Sequence, residues 1–114
     1  MKRTITLKKN YEFKNIFNKG KVYSSNLLIV YITKNNNIIN KLGIAVSKKT
    51  CKAVKRNRIK RLIRESYRLL EDDLSVGNNI VILWKTKKDY KEANYRNIQY
   101  ELIHILKNAK ILNR

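Results

Sequence analysis

The segment that most constrains this chain is 45–64, which is strongly basic and yet carries apolar residues at helical spacing. Nine of its twenty residues are Lys or Arg, and none is acidic. On a helical wheel, Ile59, Leu62, Ile63 and Leu70 form one apolar stripe, with Ser66 inside it. A helix of this kind must bury its stripe against another element, so the segment predicts a folded basic helix and argues against a disordered tail.

The positive charge is concentrated in the first part of the chain. The 114 residues carry a formal net charge of +19, of which residues 1–64 contribute +17 and residues 65–114 contribute +2. A field this unbalanced favours a polyanionic partner, either nucleic acid or an anionic membrane. No run of about 18 apolar residues is present to span a membrane, so we expect a nucleic-acid partner and no membrane partner.

Length and the opening residues set the expected domain organisation and location. A chain of 114 residues is one domain, and we expect residues 1–114 to form one RNA-binding domain with a mobile basic N-terminus at 1–9. The opening MKRTITLKKN lacks the apolar core of a signal peptide. The lone cysteine, Cys51, excludes an internal disulfide and a cysteine-based zinc site. Both observations predict a cytoplasmic location.

Hydrophobic periodicity predicts an α+β fold, a sheet packed by helices in the order α-β-β-(β)-α-β-α. Asn10 is the expected N-cap of the first helix, and Gly20 is expected to follow its end. The predicted elements are a helix over about 10–19, strand structure over 21–34, a strand over 42–46, a central helix over about 52–71, a buried strand over 80–84 and a last helix after Asn94.

Small residues line one face of the strand over 42–46. Gly43, Ala45 and Ser47 alternate there with larger apolar residues. Small side chains let another group approach the sheet closely. That group is either a packed helix or a ligand, and the sequence does not distinguish between them.

The central helix carries its charge on more than one side. One row of basic residues follows a single face of the helix, and Arg58 points away from it. The helical wheel does not explain Val54, which lies off the apolar stripe. Like charges four residues apart destabilise an isolated helix by a few tenths of a kcal/mol per pair. A merely solvated helix normally interleaves signs, so the row predicts a binding surface. The row consists of Arg56, Lys60, Arg64 and Arg68.

Three aromatic residues form a second candidate surface. Phe13 and Phe17 lie on one face of the first helix, and Tyr31 lies on a neighbouring strand. Core packing explains them as well as a stacking platform for unpaired bases, which contributes about 1–3 kcal/mol per base. Both interpretations stay open from the sequence.

Catalysis by the protein itself is not expected. His104 projects away from the apolar face of the last helix, which predicts a solvated histidine. Glu71, Asp72 and Asp73 could bind a metal, but neutralisation of the basic field or capping of a loop is the better explanation. No phosphate-binding loop, catalytic triad or metal-ligand spacing is present. We therefore expect no catalytic residue and no metal site in the protein.

The basic helix favours RNA over DNA as its partner. A long basic helix can enter the major groove of DNA. This helix, however, follows a strand and commits its apolar side to a sheet, and no helix-turn-helix spacing or basic-zipper heptad extends from it.

The string Val46-Ser47-Lys48-Lys49 followed by 53–65 resembles the signature of the bacterial ribonuclease P protein subunit. The core of that signature is an Arg-Asn-Arg triplet, here Arg56, Asn57 and Arg58. The resemblance extends upstream through Leu7-Lys8-Lys9-Asn10, Phe13, Phe17 and Gly20, and it covers essentially the whole chain. It implies a mixed four-stranded sheet flanked by helices, with a left-handed βαβ crossover, whereas such connections are right-handed in about 98% of cases.

The resemblance also implies a function. The family's protein is the small subunit of a ribonucleoprotein that removes the 5′ leader from precursor tRNA, with the RNA subunit as catalyst and Mg²⁺ held mainly by RNA. The implied partners are this RNA subunit and precursor tRNA. Phe13, Phe17 and Tyr31 would line the leader cleft. The residues that would contact the catalytic RNA are Lys48, Lys49, Lys52, Arg56, Asn57, Arg58, Lys60, Arg61, Arg64 and Arg68.

One residue departs from the family pattern. The family usually has a glycine just before the Ala-Val pair of the motif, where this chain has Cys51. A backbone with positive φ would strain a cysteine there or shift the start of the helix.

Two other functions stay open: a structural RNA-binding protein such as a ribosomal protein, and a nuclease that acts without RNA.

Overall fold

The computed structural model of the chain describes residues 3–114 and contains one mixed sheet with three helices. The strands are β1 (Thr4–Thr6), β2 (Lys21–Ser24), β3 (Leu28–Lys34), β4 (Asn40–Ala45) and β5 (Asn78–Trp84). The helices are α1 (Asn10–Lys19), α2 (Ala53–Leu70) and α3 (Tyr95–Asn108), with short 3₁₀ turns at Glu71–Asp73 and Tyr90–Glu92.

The sheet has the strand order β1-β4-β5-β3-β2. β4 runs parallel to β1 and β5, whereas β3 runs antiparallel to β5 and β2. The predicted α+β class and helix positions are confirmed, as is the parallel strand pair joined by the central helix. The left hand of that connection stays a prediction.

The sheet has five strands, and the strand that was not predicted is β1. Thr4–Thr6 pairs with the start of β4, and the N–H of Leu7 donates to the carbonyl of Leu42 at 2.8 Å. The expectation of a mobile segment at 1–9 is therefore wrong for 4–7, since pairing with β4 orders this stretch. Met1 and Lys2 lie outside the described residues.

α2 and α3 cover one face of the sheet and form the main core. Ile59, Ile63 and Leu70 of the predicted stripe are fully buried, and Leu62 packs partly buried against the same core. Burying one such side chain contributes about 1.5–3 kcal/mol. α3 begins as predicted after Asn94, whose side chain accepts from the N–H of Asn97 at 2.8 Å.

α1 lies against part of the opposite face. Its Phe13 ring lies directly over Gly43 of β4, where a Cβ atom would come within 2.5 Å of Cε1 of that ring. The group that approaches the small-residue face of β4 at Gly43 is therefore a packed helix, α1. One predicted end of α1 is corrected and the other is confirmed. Lys9, not Asn10, precedes the helix, with Glu12 accepting from its N–H at 3.4 Å. Gly20 follows the end of the helix as predicted, with an extended backbone, and a side chain there would collide with the carbonyl of Ile16.

A buried tyrosine anchors α2 to the edge of the sheet. The Tyr67 hydroxyl lies 2.8 Å from Oγ1 of Thr4 in β1, within hydrogen-bonding distance, and near the Asn40 side chain of β4. Burial raises the pKa of Tyr67 above its usual 10.0, and the charge of Glu71 raises it further, while the polar side chains of Thr4 and Asn40 lower it. The neutral hydroxyl is therefore the form that the fold stabilises.

We expect Tyr67→Phe to lower the free energy of unfolding by about 1–3 kcal/mol at neutral pH, because it leaves the Thr4 hydroxyl buried without this partner. Because the folded-state pKa is raised, the contribution of Tyr67 to stability is complete below about pH 10 and is lost above it, as the unfolded state releases the proton first. Denaturant titrations of both proteins between about pH 8 and 11 measure this. The gap between them should narrow with pH, and a constant gap contradicts the assignment.

Candidate nucleic-acid interface

A tight turn after β4 presents the first lysines of the basic segment. Oγ of Ser47 accepts from the N–H of Lys49 at 3.2 Å, and the Ser47 carbonyl accepts from the N–H of Thr50 at 3.0 Å. Lys48 and Lys49 are exposed at this turn, and Lys52 is exposed just before α2. The first turn of α2 contains no acidic residue, so the positive end of the helix dipole adds to the lysine charge.

Cys51 fits the start of α2 without backbone strain. Among the described residues, the non-glycine positions with positive φ are Asn36 and Lys110. The Cys51 carbonyl accepts from Nη1 of Arg56 at 2.6 Å, which fixes the loop against the helix. The cysteine in place of the family's glycine therefore needs no shift of the helix, which begins at Ala53.

The basic side chains of α2 differ in how freely they are available. Arg58 donates to the carbonyl of Ala93 at 2.9 Å, and Arg68 pairs with Glu65 at 2.8 Å. Arg61 and Arg64 are exposed, and the ion pairs within residues 3–114 involve other cations. Arg61 and Arg64 are therefore the arginines of α2 most available to a polyanion.

All ten predicted RNA contacts belong to α2 or to the loop directly before it. Three of them, Arg56, Arg58 and Lys60, are half-buried, and the other seven are exposed: Lys48, Lys49, Lys52, Asn57, Arg61, Arg64 and Arg68. The surface they form is called the α2 surface below.

The structure also brings the three predicted aromatic residues together. The Phe17 and Tyr31 rings lie edge-on with centroids 4.9 Å apart, and Phe13 lies 6.4 Å from Phe17. Phe13 is half-buried over Gly43, whereas Phe17 is 39% exposed. Phe13 thus serves the packing of α1, and Phe17 remains accessible at the surface.

Apolar neighbours that the sequence analysis did not single out extend this surface. Val22, directly across from Tyr31, is exposed, and Ile29 and Leu83 form a half-buried pair. Directly paired residues of neighbouring strands share one face of a sheet. The alternation of side chains over 21–34 was the signal that could have identified Val22 and Ile29. With Phe17 and Tyr31, these residues form what is called the aromatic cleft below.

Within residues 3–114, no three His, Cys, Asp or Glu side chains come together as a metal site would require. Asp73 instead pairs with Nε of Arg114 at 2.8 Å. His104 is exposed, with its ring 4.5 Å from that of Tyr100. The helices of this part of the chain include none that is long and apolar enough to cross a bilayer.

The fold and these surfaces define a small, basic α+β protein equipped to bind a polyanion. Residues 1–110 match the family model described as Ribonuclease P. The chain belongs to the ribonuclease P protein family. Members of this family are the protein component of an endoribonuclease that acts in tRNA 5′ processing. Its members work with an RNA partner.

Individual relatives agree with this assignment over nearly the whole chain. The ribonuclease P protein component of Clostridium botulinum (strain Loch Maree / Type A3) is 46% identical over 108 residues, which cover 94% of this chain and 96% of that protein. The Staphylococcus aureus RNase P protein structure superposes with a TM-score of 0.83 at 36% identity, covering 95% and 97% of the two chains. The Thermotoga maritima protein gives a TM-score of 0.82 at 30% identity, covering 91% and 96%.

A further structure is that of a Staphylococcus aureus RNase P protein mutant with defective mRNA degradation activity. It has a TM-score of 0.82 at 35% identity and covers 94% of this chain and 89% of its own.

The different burial of the two phenylalanines predicts different costs of truncation. Phe13→Ala should lower the free energy of unfolding by about 3 kcal/mol, as is typical for a ring removed from a packed site. Phe17→Ala should cost less, because its ring is already partly in water. Denaturant unfolding of both variants measures this, and equal or reversed costs contradict the assignment of Phe13 to packing.

Proposed function

We propose that this chain is the protein subunit of a ribonuclease P holoenzyme. It binds the catalytic RNA subunit through the α2 surface and the 5′ leader of precursor tRNA in the aromatic cleft. It thereby assists Mg²⁺-dependent removal of the leader, which gives the mature 5′ end. The observation that carries this proposal is the placement of two different surfaces on opposite faces of one sheet, with an exposed basic helix on one side and the partly exposed aromatic and apolar residues of the aromatic cleft on the other.

The two surfaces suit two different forms of RNA. Lysine and arginine side chains bind phosphates in folded RNA and release counterions, which makes affinity depend on salt. An aromatic cleft accepts unpaired bases by stacking, largely independently of sequence. A leader is single-stranded, whereas mature tRNA lacks it. Binding in the cleft therefore favours precursor over mature tRNA.

The chemistry assigned to the complex is metal-assisted hydrolysis of a phosphodiester, in which bound Mg²⁺ supplies an activated water and stabilises developing charge. The acidic side chains of residues 3–114 do not form a metal site, so we assign Mg²⁺ mainly to the RNA subunit. The protein's contribution is to offset phosphate repulsion and to hold the leader. It lowers the Mg²⁺ concentration that the reaction needs. Its cytoplasmic location stays a prediction.

Reconstitution tests this function directly. The chain is added to a bacterial ribonuclease P RNA at low Mg²⁺, and cleavage of precursor tRNA is followed at its 5′ end. We expect the protein to stimulate cleavage and to increase the preference for precursor over mature tRNA. No stimulation overturns the proposal.

Two controls separate the alternative functions. The protein stripped of RNA is incubated with precursor tRNA and with an mRNA, since an mRNA degradation activity is named for the Staphylococcus aureus protein. Cleavage under those conditions identifies a nuclease that acts alone. Sequencing the RNA that copurifies with the chain separates a ribonuclease P subunit from a ribosomal protein.

Arg64→Ala should weaken binding to the RNA subunit and lower the slope of log affinity against log salt by up to about one unit, because one phosphate contact is lost. Arg64 is the cleanest probe, since Arg58 also holds the Ala93 carbonyl. The matched control is Lys107→Ala, which removes an exposed cation from the end of α3. An unchanged slope in Arg64→Ala, or an equal drop in both, contradicts the α2 surface.

Phe17→Ala should weaken binding of precursor tRNA to the holoenzyme by about 5- to 150-fold, the loss of one stacked base, and leave mature tRNA binding unchanged. Tyr100→Ala is the matched control, because Tyr100 is an exposed aromatic residue of α3. Equilibrium binding of both tRNAs measures the selectivity. An equal loss for precursor and mature tRNA contradicts leader binding in the cleft.

A further inference from the structure

Val54 is an exposed apolar residue that neither the core nor the basic row explains. Its side chain is 82% exposed in the second residue of α2. It lines a surface groove of about 440 Å³ together with Asn57, Arg58, Arg61 and Tyr90. This volume lies in the range of about 300–1,000 Å³ that is typical of small-ligand sites.

Tyr90 forms the aromatic part of this groove and is held in place by its surroundings. It opens the 3₁₀ turn Tyr90–Glu92, which is capped by the Asp89 side chain accepting from the N–H of Lys91 at 2.9 Å. The turn ends at Ala93, whose carbonyl accepts from Arg58. The backbone of the turn is therefore held against α2, and the Tyr90 side chain that it carries is half-buried.

Cations surround the ring. Nζ of Lys55 lies 5.0 Å from the ring centroid of Tyr90, and Cζ of Arg58 lies 5.5 Å from it, both within the range of a cation–π interaction. Arg61 lines the same groove and is exposed. The groove is thus lined by an apolar side chain, an aromatic ring, an amide and two arginines, and Lys55 lies beside it over the ring.

This combination matches the chemistry of a single nucleotide. A nucleobase offers a π-face for Tyr90 and Val54 and a polar edge for the Asn57 amide, while its phosphate matches the arginines. An apolar protein surface would offer no anion to the exposed guanidinium of Arg61, and the charge therefore argues against it. A paired base does not expose its faces, so the occupant has to be unpaired.

We propose that Val54 and Tyr90 form a binding site for one unpaired nucleotide of the RNA subunit, with Asn57 at the base edge and Arg61 at the phosphate. The inference rests on the proposed function of the α2 surface and adds to it. α2 recognises the RNA subunit by stacking at one point as well as by charge. Stacking does not release counterions, so this part of the affinity is independent of salt.

The test is binding of a bacterial ribonuclease P RNA to the full chain at several salt concentrations. Tyr90→Ala should weaken binding about 5- to 150-fold at every salt concentration, the range for one stacked base, with the salt slope unchanged. Tyr90→Phe keeps the ring and should bind as the parent does. Val54→Ser should weaken binding in the same direction, and its exposed position keeps the core unaffected. Arg61→Ala, as a matched control, should lower the slope.

Three results contradict the proposed nucleotide site. The first is that Tyr90→Ala and Val54→Ser bind the RNA as tightly as the parent does. The second is that Tyr90→Ala lowers the salt slope, which would mean that the ring only positions Lys55 and Arg58. The third is a loss seen with precursor tRNA but not with the RNA subunit, which assigns the groove to the substrate. Failure of the parent chain itself to bind the RNA subunit is a different outcome and contradicts the proposed function.

Discussion

Burial of the apolar side of α2 is the interaction on which the rest of the structure depends. Ile59, Ile63, Tyr67 and Leu70 are buried between the sheet and α3, and this packing offsets the repulsion among the like charges of the same helix. Because one side of α2 is committed to the core, its charged side is held in one orientation towards solvent. Tyr67 completes the anchor through its hydrogen bond with Thr4. A strongly basic surface with a fixed orientation therefore follows from an ordinary hydrophobic core.

The sheet separates the two functional surfaces. α2 and α3 cover one face, whereas α1 covers only part of the other and leaves the ring of Phe17 accessible beside Tyr31. Gly43 makes this arrangement possible by letting Phe13 lie close to β4. In the proposed function, the RNA subunit is bound on one side of the sheet and the leader on the other, so the two do not compete for one surface. This separation is the physical basis of the proposed function.

Local patterns predicted most of the fold, and contacts between distant segments account for what was missed. The stripe of α2 and the Asn94 cap depend on neighbours a few residues apart, and the structure confirms both. β1 has three residues and gains its stability from pairing with β4, more than thirty residues later, so no local pattern reveals it. The sequence does not single out Tyr90 for the same reason, because its contacts with Lys55 and Arg58 come from another element. Phe13 and Phe17 look alike in sequence, and only Gly43 beneath Phe13 distinguishes them.

The independence of the two surfaces is tested most directly by a double-mutant cycle in the reconstituted holoenzyme. The cycle compares the parent with Arg64→Ala, Phe17→Ala and the double variant, at an RNA subunit concentration where assembly is limiting. Each protein is assayed for binding to two precursor tRNAs. One carries a full leader, and the other carries a leader shortened until it no longer reaches the cleft. The account predicts that the two effects add to within about 0.5 kcal/mol, and that shortening the leader abolishes the Phe17 effect while leaving the Arg64 effect intact. A Phe17 effect that persists with the shortened leader, or an Arg64 effect that disappears with it, contradicts the account.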